Sequence, residues 1–264
     1  MNIVVCVKQV PDTWSEKKLA ASDSTLDRAA TDPVMNEMDE YAVEEALKLQ
    51  EAHGGQVTIL CMGPDAATET VRKALSMGAD KAIHVLDDGL HGSDALATSL
   101  ALAKAIEKAG GFDLVLLGSE SSDARMSVVP AMLAERLGLP QLTFAKEVTI
   151  NTVDGATRIS IKRLTDDGYQ VVEASTPAVV SVVEKINEPR YPSFKGIMAA
   201  KKKPVTTMTV ADLGLDAATT GLDSATSEVV DVTLRPPRQA GQVVKDEGDG
   251  GVKIADFLAA QKLI

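Results

Sequence analysis

The chain has 264 residues, of which 45% are hydrophobic, and its mean hydropathy of +0.02 is ordinary for a globular protein with one large domain or two small ones. A formal net charge of −11 argues against a nucleic-acid partner, because phosphate binding needs clustered Lys and Arg. The apolar runs are far shorter than the ~20 residues of a membrane span, so we expect no membrane insertion. The first run, 3 to 7, lacks a basic region before it, so we expect no signal peptide. Cys6 and Cys61 lie in apolar runs without a CxxC motif, which indicates buried, reduced thiols in a cytoplasmic protein.

Short runs rich in β-branched residues and Leu alternate with helical stretches in the first half of the chain. We predict strands at 2 to 7, 56 to 62, 81 to 87 and 112 to 118. Asn36 is predicted to cap the helix that follows the first strand. This alternation is typical of βαβ units and predicts a doubly wound α/β domain with a mostly parallel, Rossmann-like sheet.

A different pattern follows a further helix predicted at 127 to 138. The apolar-polar runs 143 to 150, 157 to 164 and 169 to 174 are separated by the turn signals NTVDG and TDDG. They predict a small antiparallel extension, after which the run 177 to 183 returns to the core.

The last part of the chain changes composition at about residue 204, where Thr, Ala, Asp and Gly become frequent. Such a segment buries little apolar area, so we predict a domain over 1–203 and an extended arm over 204–264. An amphipathic helix is predicted at its end, from 252 to 264. Its apolar face needs a partner surface, so the arm either folds back on its own domain or packs on another subunit.

The stretch GSESSDARMS, 118 to 127, follows the fourth predicted strand and leads into a helix. At the carboxyl end of a strand in an open α/β sheet, Gly118 permits close backbone approach, and the serines with a helix N-terminus are suited to hold a phosphate. Ser and Asp are also the commonest helix caps, so a turn that only caps the helix explains the same residues equally well.

The stretch INEPRYPSFKGIMAAKKKP, 186 to 204, fits neither a strand nor a helix pattern. Connections of this length are usually functional or disordered. Its two aromatic residues, Tyr191 and Phe194, either pack beneath the connection as a small cluster or are displayed by a loop that Pro189 and Pro192 stiffen. The pattern alone leaves both interpretations open.

Most catalytic classes lack support in the sequence. His53, His84 and His91 have no metal-ligand spacing, and GxSxG, GxxxxGK[ST] and GxGxxG motifs are absent. A nucleotide-hydrolysing α/β enzyme is the rival from another class. It is disfavoured because Lys8-Gln9-Val10-Pro11, not a Gly-rich phosphate loop, follows the first strand.

Five motifs together resemble the β subunit of the electron-transfer flavoproteins, also called the FixA family, along nearly the whole chain. They are VKQVPD at 7 to 12, NEMDEYAVEEAL at 36 to 47, MGAD at 77 to 80, IKRLTDDGYQVVEASTPAVV at 161 to 180 and NEPRYPSFKGIMAAKKK at 187 to 203. The last is the most specific, because a chance match of that length is very improbable.

The resemblance implies an electron carrier subunit without catalytic residues of its own. It implies a heterodimer with an α subunit that holds most of the FAD, and a C-terminal arm that packs on that subunit. Electrons would come from flavin dehydrogenases such as acyl-CoA dehydrogenases and pass, one or two at a time, to a membrane quinone oxidoreductase. In such a protein the cofactor supplies the redox chemistry, while the protein supplies binding and orientation.

The resemblance also implies a nucleotide pocket, holding AMP in many members. Carried onto this sequence, the pocket comprises Cys6, Asn36, Glu37, Met38, Asp39, Met62, Gly118, Ser119, Glu120, Ser121, Ser122, Asp123, Ala124, Arg125, Met126, Ser127, Val128 and Val129. The ending ARMSVVP departs from the family, since Val128 and Val129 stand where hydroxyl or amide groups are expected. We therefore expect weak AMP binding. The departure also disfavours an electron-bifurcating member with a second FAD in this pocket.

A loop that recognises the dehydrogenases is the third implication. It comprises Arg190, Tyr191, Pro192, Ser193, Phe194, Lys195, Gly196, Ile197, Met198 and Ala199, with Phe194 at the position of the apolar anchor. Thr13 and Trp14 fall where relatives often bring an aromatic residue towards the flavin of the partner. A Trp that covers the edge of the sheet is the other interpretation of Trp14.

Overall fold

The described residues form a nine-stranded sheet with helices on both faces and a separate two-stranded sheet. The computed structural model describes residues 1–153, 155–237, 241 and 243–264. In chain order, the strands are β1 (Asn2–Val7), β2 (Gln9–Pro11), β3 (Pro33–Met35), β4 (Gln56–Met62), β5 (Lys81–Val85), β6 (Leu114–Gly118), β7 (Gln141–Val153), β8 (Ala156–Thr165), β9 (Gly168–Ser175), β10 (Ala178–Val182) and β11 (Val205–Met208). The helices are α1 (Glu37–His53), α2 (Thr68–Met77), α3 (Ala95–Ala109), α4 (Val129–Leu137), α5 (Phe194–Ala200) and α6 (Gly250–Ala260).

The order of the large sheet is β11-β5-β4-β1-β6-β10-β7-β8-β9, and all pairs from β11 to β7 are parallel. From β1 the chain builds outward through β4 and β5 on one side, then through β6 and β10 on the other. The carboxyl ends of β1 and β6 therefore flank a topological switch point, which is where open α/β sheets place their ligand crevice.

The strands at the centre are buried on both faces, which explains their continuous apolar runs. In β1, Ile3 and Val5 belong to the core cluster that includes residues of α1 and α2, whereas Val4 and Cys6 belong to the cluster that includes residues of α3 and α4. The predicted doubly wound α/β class, with a mostly parallel sheet, is confirmed.

The predicted antiparallel extension is confirmed as well. β7 runs on beyond its pairing with β10 and pairs antiparallel with β8, which pairs antiparallel with β9. Asp154, in the predicted NTVDG turn, lies outside the described residues. The antiparallel pair β2 and β3 escaped the sequence analysis, because strands of three residues are too short to show an alternating pattern.

The C-terminal part of the chain differs from the predicted division at residue 203. The chain divides into a first unit, Met1–Glu228, and a second unit, Val229–Ile264. β11 pairs in parallel with β5, and Val210 and Leu213 are buried in the first unit. The Thr-rich composition concealed this short edge strand, so the first unit continues past the expected boundary. Residues 238–240 and 242 of the predicted arm lie outside the description, and α6 forms where a terminal helix was predicted.

Across the described ranges, no helix is both long enough and apolar enough to cross a membrane.

Candidate functional site

At the switch point, Gly118 ends β6 directly against the first turn of α1. A Cβ atom added at Gly118 would lie 2.5 Å from Cβ of Met38 and 2.7 Å from Oδ1 of Asp39. The close backbone approach predicted for this glycine is therefore an approach to α1. It brings the N-terminus of α1 to the carboxyl edge of the sheet.

Asp39 joins the ends of the two central strands. Its Oδ2 accepts a hydrogen bond from the backbone N–H of Lys8 at 2.8 Å, and its Oδ1 accepts one from the backbone N–H of Gly118 at 3.3 Å. Burial raises the pKa of Asp39 to about 7, although these two backbone N–H groups oppose the rise by favouring the carboxylate. Asp39 is thus a buried carboxyl group that titrates near neutral pH at the rim of the sheet.

Asn36 holds the loop that follows β6. It occupies the predicted N-cap position of α1, but its side chain turns to the loop instead of capping the helix. Its Nδ2 donates to the carbonyl of Glu120 at 2.9 Å, and its Oδ1 accepts from the backbone N–H of Ser122 at 3.1 Å. The amide side chain therefore matches one acceptor and one donor of the loop backbone.

Two cations converge on Asp123 in the same loop. Lys8 Nζ lies 2.8 Å from Oδ1 of Asp123 and 3.2 Å from Oγ of Ser121, while a terminal nitrogen of Arg28 lies 2.8 Å from Oδ2 of Asp123. Burial favours the neutral acid, but the charges of Lys8 and Arg28 outweigh it and hold the pKa of Asp123 at about 2. Asp123 is used in this ion cluster and not as a helix cap, so the capping-only interpretation of the loop does not hold.

Lys8 and Arg28 are functional candidates that the sequence analysis missed. Lys8 carried a usable signal, because it directly follows β1 at the switch point. Arg28 carried none, since it lies in a long irregular connection between β2 and β3 and reaches Asp123 only through the fold.

The rest of the loop is partly closed on itself. Arg125 and Ser127 have φ angles of 49° and 55°, a region that L-residues with side chains seldom adopt. Ser127 Oγ donates to a carboxylate oxygen of Glu120 at 3.1 Å. Ser122 Oγ is buried and has no hydrogen-bond partner within the described part of the chain. Since buried polar atoms normally have partners, this hydroxyl is an open position for a bound polar group.

Several predicted pocket residues lie outside this polar cluster. Cys6 is buried among the apolar residues of the α3 and α4 face, and burial raises the pKa of its thiol. Met62 and Val129 pack against the same core cluster. Glu37, Ala124 and Met126 are exposed, and Ser119 is buried with its N–H bonded to the carbonyl of Val182 at 2.9 Å. The structure therefore brings together Asn36, Met38, Asp39, Gly118 and the loop 120–123 from the predicted set.

A second candidate site is an apolar surface on α5 and the residues before it, which we call the ridge and define as Tyr191, Phe194, Ile197 and Met198. Tyr191 is 97% exposed and Phe194 is 81% exposed, so neither packs beneath the connection. Ile197 and Met198 are exposed to about half their area. The displayed interpretation of the aromatic pair is the one the structure shows.

The connection that carries the ridge forms a helix, which the sequence analysis did not predict. Ser193 caps α5 by accepting a hydrogen bond from the backbone N–H of Gly196 at 3.1 Å. With seven residues, α5 is too short to display a helical period in the sequence. Gly196 is required by space, because a Cβ atom there would lie 2.6 Å from the carbonyl oxygen of Ser76 on α2.

Trp14 is also displayed. It is 95% exposed, and its backbone N–H donates to the side chain of Asp12 at 2.8 Å. A Trp covering the edge of the sheet would be buried on one face, so that interpretation is wrong. Thr13 beside it is exposed as well.

Within the described residues, no group of three or more His, Cys, Asp or Glu side chains is placed to hold a metal ion.

Known proteins similar to this chain agree with one another in family. A family model described as "Electron transfer flavoprotein domain" matches residues 23–213. The chain is 54% identical over 268 residues to the electron transfer flavoprotein subunit beta of Mycobacterium leprae, with 100% of this chain and 99% of the relative covered. The corresponding subunit of Megasphaera elsdenii is 37% identical over 275 residues, with all of both chains covered. The caffeyl-CoA reductase-Etf complex subunit CarD of Acetobacterium woodii is 34% identical over 245 residues, with 92% of each chain covered.

We call the polar residues at the switch point, Lys8, Arg28, Asn36, Asp39 and the loop 120–123, the rim cluster. The fold and this cluster define a doubly wound α/β protein with polar and charged side chains gathered at its switch point. The family match and the full-length relatives make the assignment specific: the chain belongs to the electron transfer flavoprotein family, among its β subunits. Its role is therefore in electron transport, as part of a flavoprotein.

Proposed function

We propose that this chain pairs with an electron transfer flavoprotein α subunit and forms a carrier that takes electrons from flavin dehydrogenases, such as acyl-CoA dehydrogenases, and delivers them to a membrane quinone oxidoreductase. The observation that carries the proposal is the ridge, an exposed apolar surface on a short helix that is packed against α2. Isolated exposed apolar residues need no explanation, but four of them within the segment 191–198, two of them aromatic, favour an interaction surface.

The ridge is suited to a transient partner. It consists of only four side chains on one segment, which favours a complex that releases readily, as a carrier that serves several dehydrogenases requires. Lys195, Lys201 and Lys202 flank it in a chain whose net charge is −11. Charges at the margin of an interface act mainly on encounter rate and on salt dependence.

FAD supplies the redox chemistry of the complex when it is bound, and in this proposal the α subunit holds most of it. The contribution of this chain is to bind, orient and exclude water, without a catalytic residue of its own. Trp14 is displayed on the connection before β3 and is proposed to pack near the flavin of the partner. The carrier is proposed to work in the cytoplasm and to meet its membrane acceptor without entering the bilayer.

AMP is the proposed ligand of the rim cluster. The unpartnered hydroxyl of Ser122 and the cations Lys8 and Arg28 fit a phosphate or ribose group. Asp123 opposes such a ligand, because its carboxylate already accepts from both cations. Together with the apolar side chain of Val128, this supports weak and not obligatory nucleotide binding.

The second unit is proposed to pack on the α subunit through α6. Ile254, Phe257 and Leu258 lie at i, i+3 and i+4 and share one face of this helix. Phe257→Asp should abolish co-purification with a tagged α subunit, while Asp256→Asn on the neighbouring position should leave it intact. Equal recovery of the two variants would contradict the docking role of α6.

The carrier function is tested on the purified αβ complex. One FAD per αβ pair, reduced by an acyl-CoA dehydrogenase and its substrate and reoxidised by a quinone oxidoreductase, is the expected result. Two FAD per pair would favour the bifurcating alternative. A complex that contains FAD but is reduced by none of a panel of flavin dehydrogenases would overturn the proposal.

A further inference from the structure

The segment that carries the ridge is fastened to the first unit at both ends. At its start, Arg190 binds two carboxylates of α1, and we call this group of Arg190, Glu44 and Glu51 the α1 clamp. At its end, one terminal guanidinium nitrogen of Arg72 donates to the backbone carbonyl of Ala200 at 2.6 Å and to that of Lys203 at 3.1 Å. The exposed ridge lies between these two attachments.

In the α1 clamp, all three guanidinium nitrogens of Arg190 donate hydrogen bonds to carboxylates of α1. Nε donates to Oε2 of Glu44 at 2.7 Å and one terminal nitrogen donates to Oε1 of Glu44 at 3.0 Å, which is a bidentate pair. The other terminal nitrogen donates to Glu51 at 2.6 Å. The backbone N–H of Arg190 also donates to Oε2 of Glu44, at 3.1 Å. The planar guanidinium therefore faces α1 and is not oriented to pair with a protein that docks on the ridge.

Glu44 makes this arrangement more than a surface ion pair. Its side chain is only 8% exposed, whereas that of Glu51 is 60% exposed. A buried carboxylate needs its full set of donors, so Glu44 constrains where Arg190 and its backbone can lie. The next residue along the chain is Tyr191, and Phe194 lies four positions from Arg190.

We propose that Arg190 is a positioning residue: through Glu44 and Glu51 it holds the ridge in its docking geometry before the dehydrogenase arrives. The inference rests on the proposed function of the ridge. Ordering a loop and its side chains on binding opposes association, so a segment that is already ordered binds more tightly for the same contacts. Arg190 thereby raises affinity without touching the partner.

The test uses the αβ complex and a cognate acyl-CoA dehydrogenase. Arg190→Lys keeps the charge and removes the bidentate geometry. Glu51→Gln removes the negative charge of the exposed partner but keeps an acceptor oxygen, so it is a milder change that leaves Glu44 paired. Arg190→Lys should raise the KM for the complex roughly tenfold, with kcat within about twofold, and Glu51→Gln should act in the same direction but less. Hydrogen exchange of the amides of 193–200 should become faster in both variants. Lys195→Gln, an exposed change on the same helix, should leave exchange unchanged.

A double-mutant cycle separates positioning from direct contact. In a Phe194→Ala background, Arg190→Lys should change KM much less than in the unmodified complex, because the main anchor of the ridge that it positions is gone. An effect that persists in that background and fades at high salt would overturn the inference, since it would show that the charge of Arg190 meets the dehydrogenase. Unchanged exchange in Arg190→Lys would overturn it as well.

A failure of the proposed recognition function of the ridge would give a different pattern of KM values from a failure of the positioning role of Arg190. If Phe194→Ala alone leaves KM unchanged, the ridge is not the recognition surface, whatever the exchange data show. If Phe194→Ala raises KM and Arg190→Lys changes neither KM nor exchange, the ridge functions and Arg190 does not position it.

Discussion

The rim cluster and the ridge use opposite chemistry on the same scaffold. At the rim, polar side chains from distant parts of the chain turn inward, and their charges are compensated by one another, as in the Lys8–Asp123–Arg28 group. At the ridge, the polar groups bind the backbone to α1 and α2, and the apolar side chains turn outward. A ligand at the rim must compete with internal contacts, whereas a partner at the ridge only adds contacts.

Both regions depend on α1. Its N-terminus places Asn36 and Asp39 at the rim, and its middle and last turns place Glu44 and Glu51 under Arg190. Variants that change one region and leave the other intact therefore test whether the two regions act independently of each other.

The largest expected effect is at the ridge. Phe194→Ala should weaken the affinity for a cognate dehydrogenase by roughly 30- to 1000-fold, because truncating a central anchor costs about 2 to 4 kcal/mol. FAD content, absorbance and heterodimer assembly should not change, since Phe194 is exposed. The measurement is dehydrogenase kinetics at varied complex concentration. Tyr169→Ala, which truncates an exposed aromatic residue on β9, is the matched control. Normal kinetics in Phe194→Ala would refute the anchor.

The next effect is on the rim. Gly118→Ala places a Cβ atom 2.5 Å from that of Met38, so α1 and β6 must separate. Overpacking of this kind costs about 1 to 3 kcal/mol, and calorimetry should show a Tm lowered by several degrees. Gly251→Ala, where an added Cβ meets open space, should not lower Tm. Dehydrogenase KM should stay the same, and a large rise would show that the rim and the ridge are coupled through α1.

A smaller effect concerns pH. The pKa of Asp39 is raised from 3.8 to about 7 by burial, so the native state binds more protons than the unfolded state between these values. Its stabilising contribution is fully present below about pH 4 and is lost as pH rises through about 7. Asp39→Asn should therefore flatten the fall of Tm between pH 5 and 8.

Asp123 provides a control for that experiment, because its pKa is shifted in the opposite direction to that of Asp39. Its pKa is lowered to about 2, so its stabilising contribution is present above the unfolded value of 3.8 and is lost only as pH falls through about 2. Asp123→Asn should lower Tm at neutral pH without flattening the profile between pH 5 and 8. Parallel profiles for Asp39→Asn and the unmodified protein would contradict the raised pKa of Asp39.

The smallest expected effect is on nucleotide affinity. Val128→Thr should tighten AMP binding by up to about tenfold, the equivalent of one recovered hydrogen bond of 1.4 kcal/mol. Val129→Thr should not, because Val129 packs against the apolar core. Calorimetric titration of the αβ complex with AMP compares the two. Equal affinities in both variants and in the unmodified protein would show that neither side chain faces the ligand.

The candidate sites could be predicted from the sequence where their residues lie in one continuous segment. The loop 118–127 and the ridge residues could be identified because each is a continuous stretch with an unusual composition. Lys8 and Arg28 could not be identified in this way, since their roles depend on meeting Asp123, more than ninety positions away from Arg28. The α1 clamp was missed for the same reason, because Arg190 and Glu44 are 146 positions apart.

The sequence by itself determined the α/β class, the positions of the main strands along the chain, the antiparallel extension and the family, because these depend on local periodicity and on contiguous motifs. Only the tertiary structure decided that the side chain of Asn36 binds the loop after β6 instead of capping its helix, and that β11 extends the sheet past residue 203. It also decided that Tyr191, Phe194 and Trp14 face solvent. The physical reason is that burial and side-chain pairing are properties of the folded arrangement. A residue pattern states what a side chain is able to bind, and only packing decides which group lies within its reach.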